Sequence, residues 1–106
     1  MKSDEFLDLL ESRLSPDMSN LSKLNVIFDM VDDKLIEGGY DTISESLLNI
    51  DIDKYSLDIL IGFLSVTMPW KSFLTGSRDI LIERVEKRAD IEMGKKRTSN
   101  ILSGFR

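Results

Sequence analysis

Apolar side chains recur at three- and four-residue spacing along almost the whole chain, a period that selects helices over paired strands. The longest such run places Leu21, Leu24, Ile27, Phe28, Val31 and Leu35 on one face. It should begin near Ser19 or Asn20, and Gly38-Gly39 stops it. Before it, Phe6, Leu7, Leu10 and Leu14 define a first helix that Ser3 can cap, with Asp4 and Glu5 at the positive end of its dipole. Ser15-Pro16 ends that helix, because the residue before proline is pushed out of the α region.

A short third helix is expected from Asp41 to Asn49, with Thr42 and Glu45 at capping-box spacing and Ile43, Leu47 and Leu48 on its apolar face. The alternation of Ile50 and Ile52 with acids could suggest a strand, but no plausible pairing partner exists, so this segment is a connector. Ser56 then caps Leu57 to Val66, apolar almost all round and therefore central to a bundle. Pro69 suits a first helical turn. Phe73, Leu74, Ile80, Leu81, Val85 and Ala89 continue an inward face, and Gly76-Ser77 should delay or bend the last helix. The expected fold is an all-α bundle of four to five helices over residues 1–93, followed by a basic C-terminal tail over 94–106. Its core is expected to hold Leu24, Ile27, Phe28, Val31, Leu47, Leu60, Ile61, Leu64, Leu74, Leu81 and Val85.

Cysteine and histidine are both absent, which removes disulfides, thiolate nucleophiles, typical zinc ligation and imidazole acid/base chemistry. Chemistry would have to come from carboxylates, hydroxyls and lysines, so no catalytic residue, metal ligand or cofactor is assigned. No apolar run approaches the roughly 20 residues that span a bilayer, and the acidic N-terminus lacks a signal-peptide pattern. No membrane partner is expected, and the chain is expected in the cytoplasm. The net charge of −5 hides a polarity: residues 1–66 carry −9 and residues 67–106 carry +4. A chain so divided is suited to pairing with itself or with oppositely charged partners.

Asp29, Asp32 and Asp33 set two carboxylates four residues apart, which would bind a divalent cation only with a third ligand from elsewhere; a solvated helix face is favoured. Asp51-Ile52-Asp53 resembles the opening of a calcium loop but lacks its glycine and closing glutamate. Lys95, Lys96 and Arg97 could meet phosphates, although the overall acidity argues against nucleic acid as the main partner. In the same tail Ile101, Leu102 and Phe105 form an apolar turn flanked by positive charge, suited to docking on a partner; folding of Phe105 back onto the bundle is the alternative. Trp70, the sole tryptophan, either closes one end of the core or anchors an interface.

From Val31 to Val85 the chain resembles a loose pattern of short proteins of bacteriophages and prophages. It is carried by Val31-Asp32, Gly39-Tyr40, Ile43, Leu47-Leu48, Asp51, Tyr55-Ser56, Leu60, Leu64 and the series Thr67, Pro69, Lys71, Leu74, Arg78. The resemblance implies a helical accessory protein of phage type, in the host cytoplasm or the virion, and brings no catalytic residue set. The function expected is that of a non-catalytic protein-protein interaction module, an assembly or host-inhibiting protein. A nucleic-acid-associated accessory protein acting through the tail and a carboxylate-based enzyme are the alternatives. The partner-binding residues expected are Trp70, Lys95, Lys96, Arg97, Ile101, Leu102, Phe105 and Arg106.

Overall fold

The structure, a computed structural model, describes residues 2–93 and 103–105. Five α-helices make up most of these residues: α1 (Ser3–Arg13), α2 (Asn20–Ile36), α3 (Tyr40–Asn49), α4 (Leu57–Thr67) and α5 (Thr75–Met93). A 3-10 helix, Met68–Phe73, links α4 to α5, and a second short one spans Ser103–Phe105. The described residues contain no strand, and the chain from Ile50 to Ser56 is the expected connector. Residues 94–102 and 106, which hold the basic part of the expected tail, lie outside the described residues.

Local chemistry sets most of the boundaries. Ser19 and Ser56 cap α2 and α4, accepting from the backbone N–H of Ser22 and Ile59. After α2 the chain reverses through a Schellman arrangement: Gly38 N–H donates to the Leu35 carbonyl at 3.0 Å and Gly39 N–H to the Lys34 carbonyl at 2.9 Å. Gly38 takes the left-handed conformation this requires, with φ of +88°. Two expected caps differ from what is seen. Ser3 lies inside α1, buried, and accepts from Asn49 at 3.2 Å, so it joins α1 to α3 instead of capping. Thr42 is likewise buried inside α3, which starts two residues earlier, at Tyr40, without a side-chain cap.

α2 packs chiefly on α4, α3 on α5 and α1 on α3. The α2–α4 approach depends on Gly62, where any Cβ would run into the Leu24 side chain. Of the expected core, Ile27, Val31, Leu47, Leu60, Leu64, Leu74, Leu81 and Val85 are buried, while Leu24 and Ile61 are half-buried. Phe28 is 39% exposed and Phe73 61%, and Leu21, Leu48 and Ile80 are also exposed, contrary to expectation. The buried stripe of α5 is Arg78, Leu81, Ile82, Val85 and Ala89, at steps of three and four, which leaves Ile80 off the face. Phe73 belongs to the 3-10 helix, whose three-residue turn breaks the register before α5 begins at Thr75.

Candidate functional site

The segment Met68–Phe73 has a helical form in which residues three apart eclipse, so Trp70 and Phe73 leave it on the same side. Both meet Tyr40, the first residue of α3, brought there by the reversal at Gly38-Gly39. The Phe73 ring stacks nearly parallel on Tyr40, 4.6 Å between centroids at 11°, and Trp70 lies 5.9 Å from Tyr40 at 48°. Tyr40 and Trp70 are half-buried and pack on the core, whereas Phe73 is mostly exposed. The result is an aromatic shelf fixed from below and open to water above. Trp70 packs on the core, as the first of its two expected readings has it, and lies beside the exposed Phe73 ring. Neither Tyr40 nor Phe73 is distinguished as a site residue by the sequence, where Phe73 reads with Leu74 as the start of the inward face of the last helix.

Beside the shelf lies a groove lined by Lys71, Ser72, Thr75, Arg78 and Asp79. Arg78 is 2% exposed and is the largest fully buried side chain among the described residues. Its Nη1 donates to the Leu64 carbonyl at 2.7 Å and to Thr67 Oγ1, and its Nη2 donates to the Phe105 carbonyl. Burial lowers its pKa, while the adjacent Asp79 carboxylate acts in the opposite direction. Of the expected tail residues only Phe105 is described. It packs against the core, the fold-back arrangement, with its main chain held by Arg78. Lys95, Lys96, Arg97, Ile101, Leu102 and Arg106 lie outside the described residues.

The acidic constellations divide. Asp29 and Asp32 border a groove with Phe28, Ser65, Val66 and Pro69, whereas Asp33 faces another groove with Arg13, Lys34 and Glu37. Among the described residues no group of three or more potential ligands could hold a metal ion. Asp51 accepts from the Asp53 N–H at 3.0 Å, a local turn, and lines a groove between α1 and the connector with Asp4, Asp8, Glu11, Lys54 and Tyr55. There Lys54 donates to Glu11 at 2.9 Å, and this bond raises the lysine pKa. Burial, the Glu11 charge and a hydrogen bond to Glu11 push the Tyr55 hydroxyl up to about 12. Both shifts hold the proton more tightly, the reverse of what a base or nucleophile requires.

The polar residues buried as a whole among the described residues are Ser3, Thr42, Ser46, Thr67, Ser77 and Arg78; of the carboxylates, half-buried Asp90 has one oxygen, Oδ1, out of water and without a hydrogen-bond partner. Ser46 and Thr67 donate to carbonyls of their own helices at 2.7 Å, and Ser77 donates to the Leu74 carbonyl at 3.1 Å. Those hydroxyls are used in local structure. Among the described residues no helix is long and apolar enough to cross a membrane. No protein-family model matches this chain, and no curated protein or solved structure does.

Proposed function

We propose that this chain is a non-catalytic protein-interaction module that presents the Tyr40–Trp70–Phe73 shelf to a protein partner. The observation that carries this reading is the exposure of Phe73 in a ring stack already fixed by Tyr40. A rigid aromatic surface loses little side-chain freedom on binding, and aromatic anchors dominate many interfaces. The absence of histidine and cysteine, and the two proton-holding shifts at Lys54 and Tyr55, favour binding over catalysis. An accessory role of phage type, in assembly or inhibition of a host protein within the host cytoplasm or the virion, accords with the sequence resemblance.

Affinity capture of the tagged chain from its native host, followed by mass spectrometry, tests the reading when repeated with Phe73→Ser. Phe73 is exposed, so this variant should melt at nearly the wild-type temperature and lose the captured partner. Retention of the same protein at the same yield would exclude the shelf as its binding surface.

A further inference from the structure

The buried guanidinium of Arg78 ties distant parts of the chain together. Its Nη1 donates to the Leu64 carbonyl, in the last turn of α4, and to Oγ1 of Thr67, the residue that precedes the 3-10 helix. Its Nη2 lies 3.3 Å from Sδ of Met68, the first residue of that helix, and donates to the Phe105 carbonyl. A carbonyl oxygen is a strong acceptor and a thioether sulfur a weak one, so Phe105 supplies the main acceptor of Nη2. That acceptor comes from 27 residues away in the sequence. The 3-10 helix that Arg78 braces at its start is the one that carries Trp70 and Phe73. Among the described residues the Phe105 ring takes no part in the ring contacts of the shelf; it packs on the core instead and leaves those rings open.

We infer that the C-terminal turn Ser103–Phe105 is a strap that sets the Tyr40–Trp70–Phe73 shelf through Arg78, so that docking of the turn and binding of a partner on the shelf favour one another. A guanidinium does not shed its charge, and a buried donor stripped of its acceptor is costly. When the turn leaves, the Nη2 donors must find another acceptor. Asp79, which lines the adjacent groove and whose charge acts on Arg78, is the one at hand. Turning toward Asp79 withdraws the guanidinium from Thr67 and Met68, and the 3-10 helix loses the brace at its start. The coupling is reciprocal, because a partner held on the shelf strengthens docking of the turn by the same factor as the turn strengthens the partner. This inference rests on the interaction-module reading and adds a means of regulation to it.

Trp70 is the sole tryptophan, so its fluorescence reports directly on the shelf. The full chain is compared with a chain ending at Leu102, which lacks both the carbonyl and the ring, and with Phe105→Ala, which keeps the carbonyl and weakens its anchorage. Circular dichroism follows helix content in each. Removal of residues 103–106 should shift Trp70 emission to the red and increase its quenching by acrylamide, with helix content close to wild type. Phe105→Ala should act in the same direction and less. In Arg78→Met the same truncation should add little, because the link is already cut. The truncated chain should also bind the partner that the full chain captures about fivefold or more weakly. Trp70 emission and quenching unmoved by truncation, or moved equally with and without Arg78, overturn the inference. So does a loss of helix that accompanies the Trp70 change, which would make the turn part of the whole core. If truncation leaves Trp70 unmoved while Phe73→Ser still loses the partner, the strap fails and the shelf stands. If truncation moves Trp70 while Phe73→Ser retains the partner, the link through Arg78 stands and the shelf fails as the binding surface.

Discussion

Arg78 Nη1 donates to the Leu64 carbonyl at 2.7 Å, closing the C-terminal turn of α4 from the first turns of α5. The same device recurs along α5. Arg84 donates to the carbonyls of Leu48 and Ile50 at 3.0 and 2.9 Å, and Arg88 to those of Ile52 and Tyr55. The last carbonyls of a helix have no intrahelical donors and carry partial negative charge, so a guanidinium with five donors in a fixed fork suits them. Three arginines of one helix thus fasten the end of α4, the end of α3 and the connector. Part of the positive charge in the second half of the chain serves this internal purpose.

Substitution of Arg78 should therefore act through both volume and hydrogen bonding. Arg78→Ala should cost about 2–4 kcal/mol, because it empties the largest buried side-chain site among the described residues and strips donors from buried carbonyls. Arg78→Met, which keeps most of the length, should fall between Ala and wild type. Urea denaturation measures both. Equal stability of Arg78→Met and wild type would mean that the carbonyl bonds contribute nothing net.

Gly62 and Leu24 should be energetically coupled. Alanine at position 62 gains about 1 kcal/mol of helix propensity but must displace the Leu24 side chain from the α2–α4 contact. Gly62→Ala should be neutral to destabilising by about 1 kcal/mol in the wild-type background and stabilising in Leu24→Ala. A double-mutant cycle by chemical denaturation reads the coupling, and additive effects would show that Leu24 moves aside freely.

The helices and most of the core were legible because their signals are local. Ser19, Ser56, Gly38-Gly39 and the stripes through Ile27, Val31, Leu60 and Leu64 act within a few residues of where they stand. The aromatic shelf was not, since only the 3-10 turn over Met68–Phe73 puts Trp70 and Phe73 on one side and only the fold brings Tyr40 to them. The arginine fastenings fall between these cases. Arg78 stands one step of three before Leu81 on the buried stripe of α5, a cation at a core position visible in the sequence. Its acceptors, on α4 and at Phe105, are non-local and carry no pattern of their own.

Two glycines should respond to alanine in opposite directions. Gly38 holds φ of +88°, where a Cβ is strained, so Gly38→Ala should destabilise by about 1 kcal/mol. Gly76 sits in the first turn of α5 with open space around a built Cβ, so Gly76→Ala should stabilise by up to about 1 kcal/mol. Thermal melts of the two variants check this, and a gain in melting temperature for Gly38→Ala would contradict the Schellman assignment.

Tyr55 should impose a loss of stability in alkaline solution. Its hydroxyl, raised from an ordinary value near 10 to about 12 by burial and by Glu11, keeps its proton in the folded chain after the unfolded chain has lost it. Below about pH 10 both states are protonated and the contribution is constant. Between about 10 and 12 the folded state binds more protons than the unfolded one, so stability falls as pH rises, and the contribution is gone above the folded value. The chain has two tyrosines, so Tyr40→Phe leaves Tyr55 as the sole phenol while keeping a ring against Phe73. In that background, ultraviolet absorbance of the phenolate should titrate near 12, and Glu11→Gln should bring the midpoint part of the way down, since burial remains. Tyr55→Phe should remove this component from the dependence of melting temperature on pH. A Tyr55 midpoint at the ordinary value, or one unmoved by Glu11→Gln, would show that the hydroxyl does not hold the bond to Glu11 in solution.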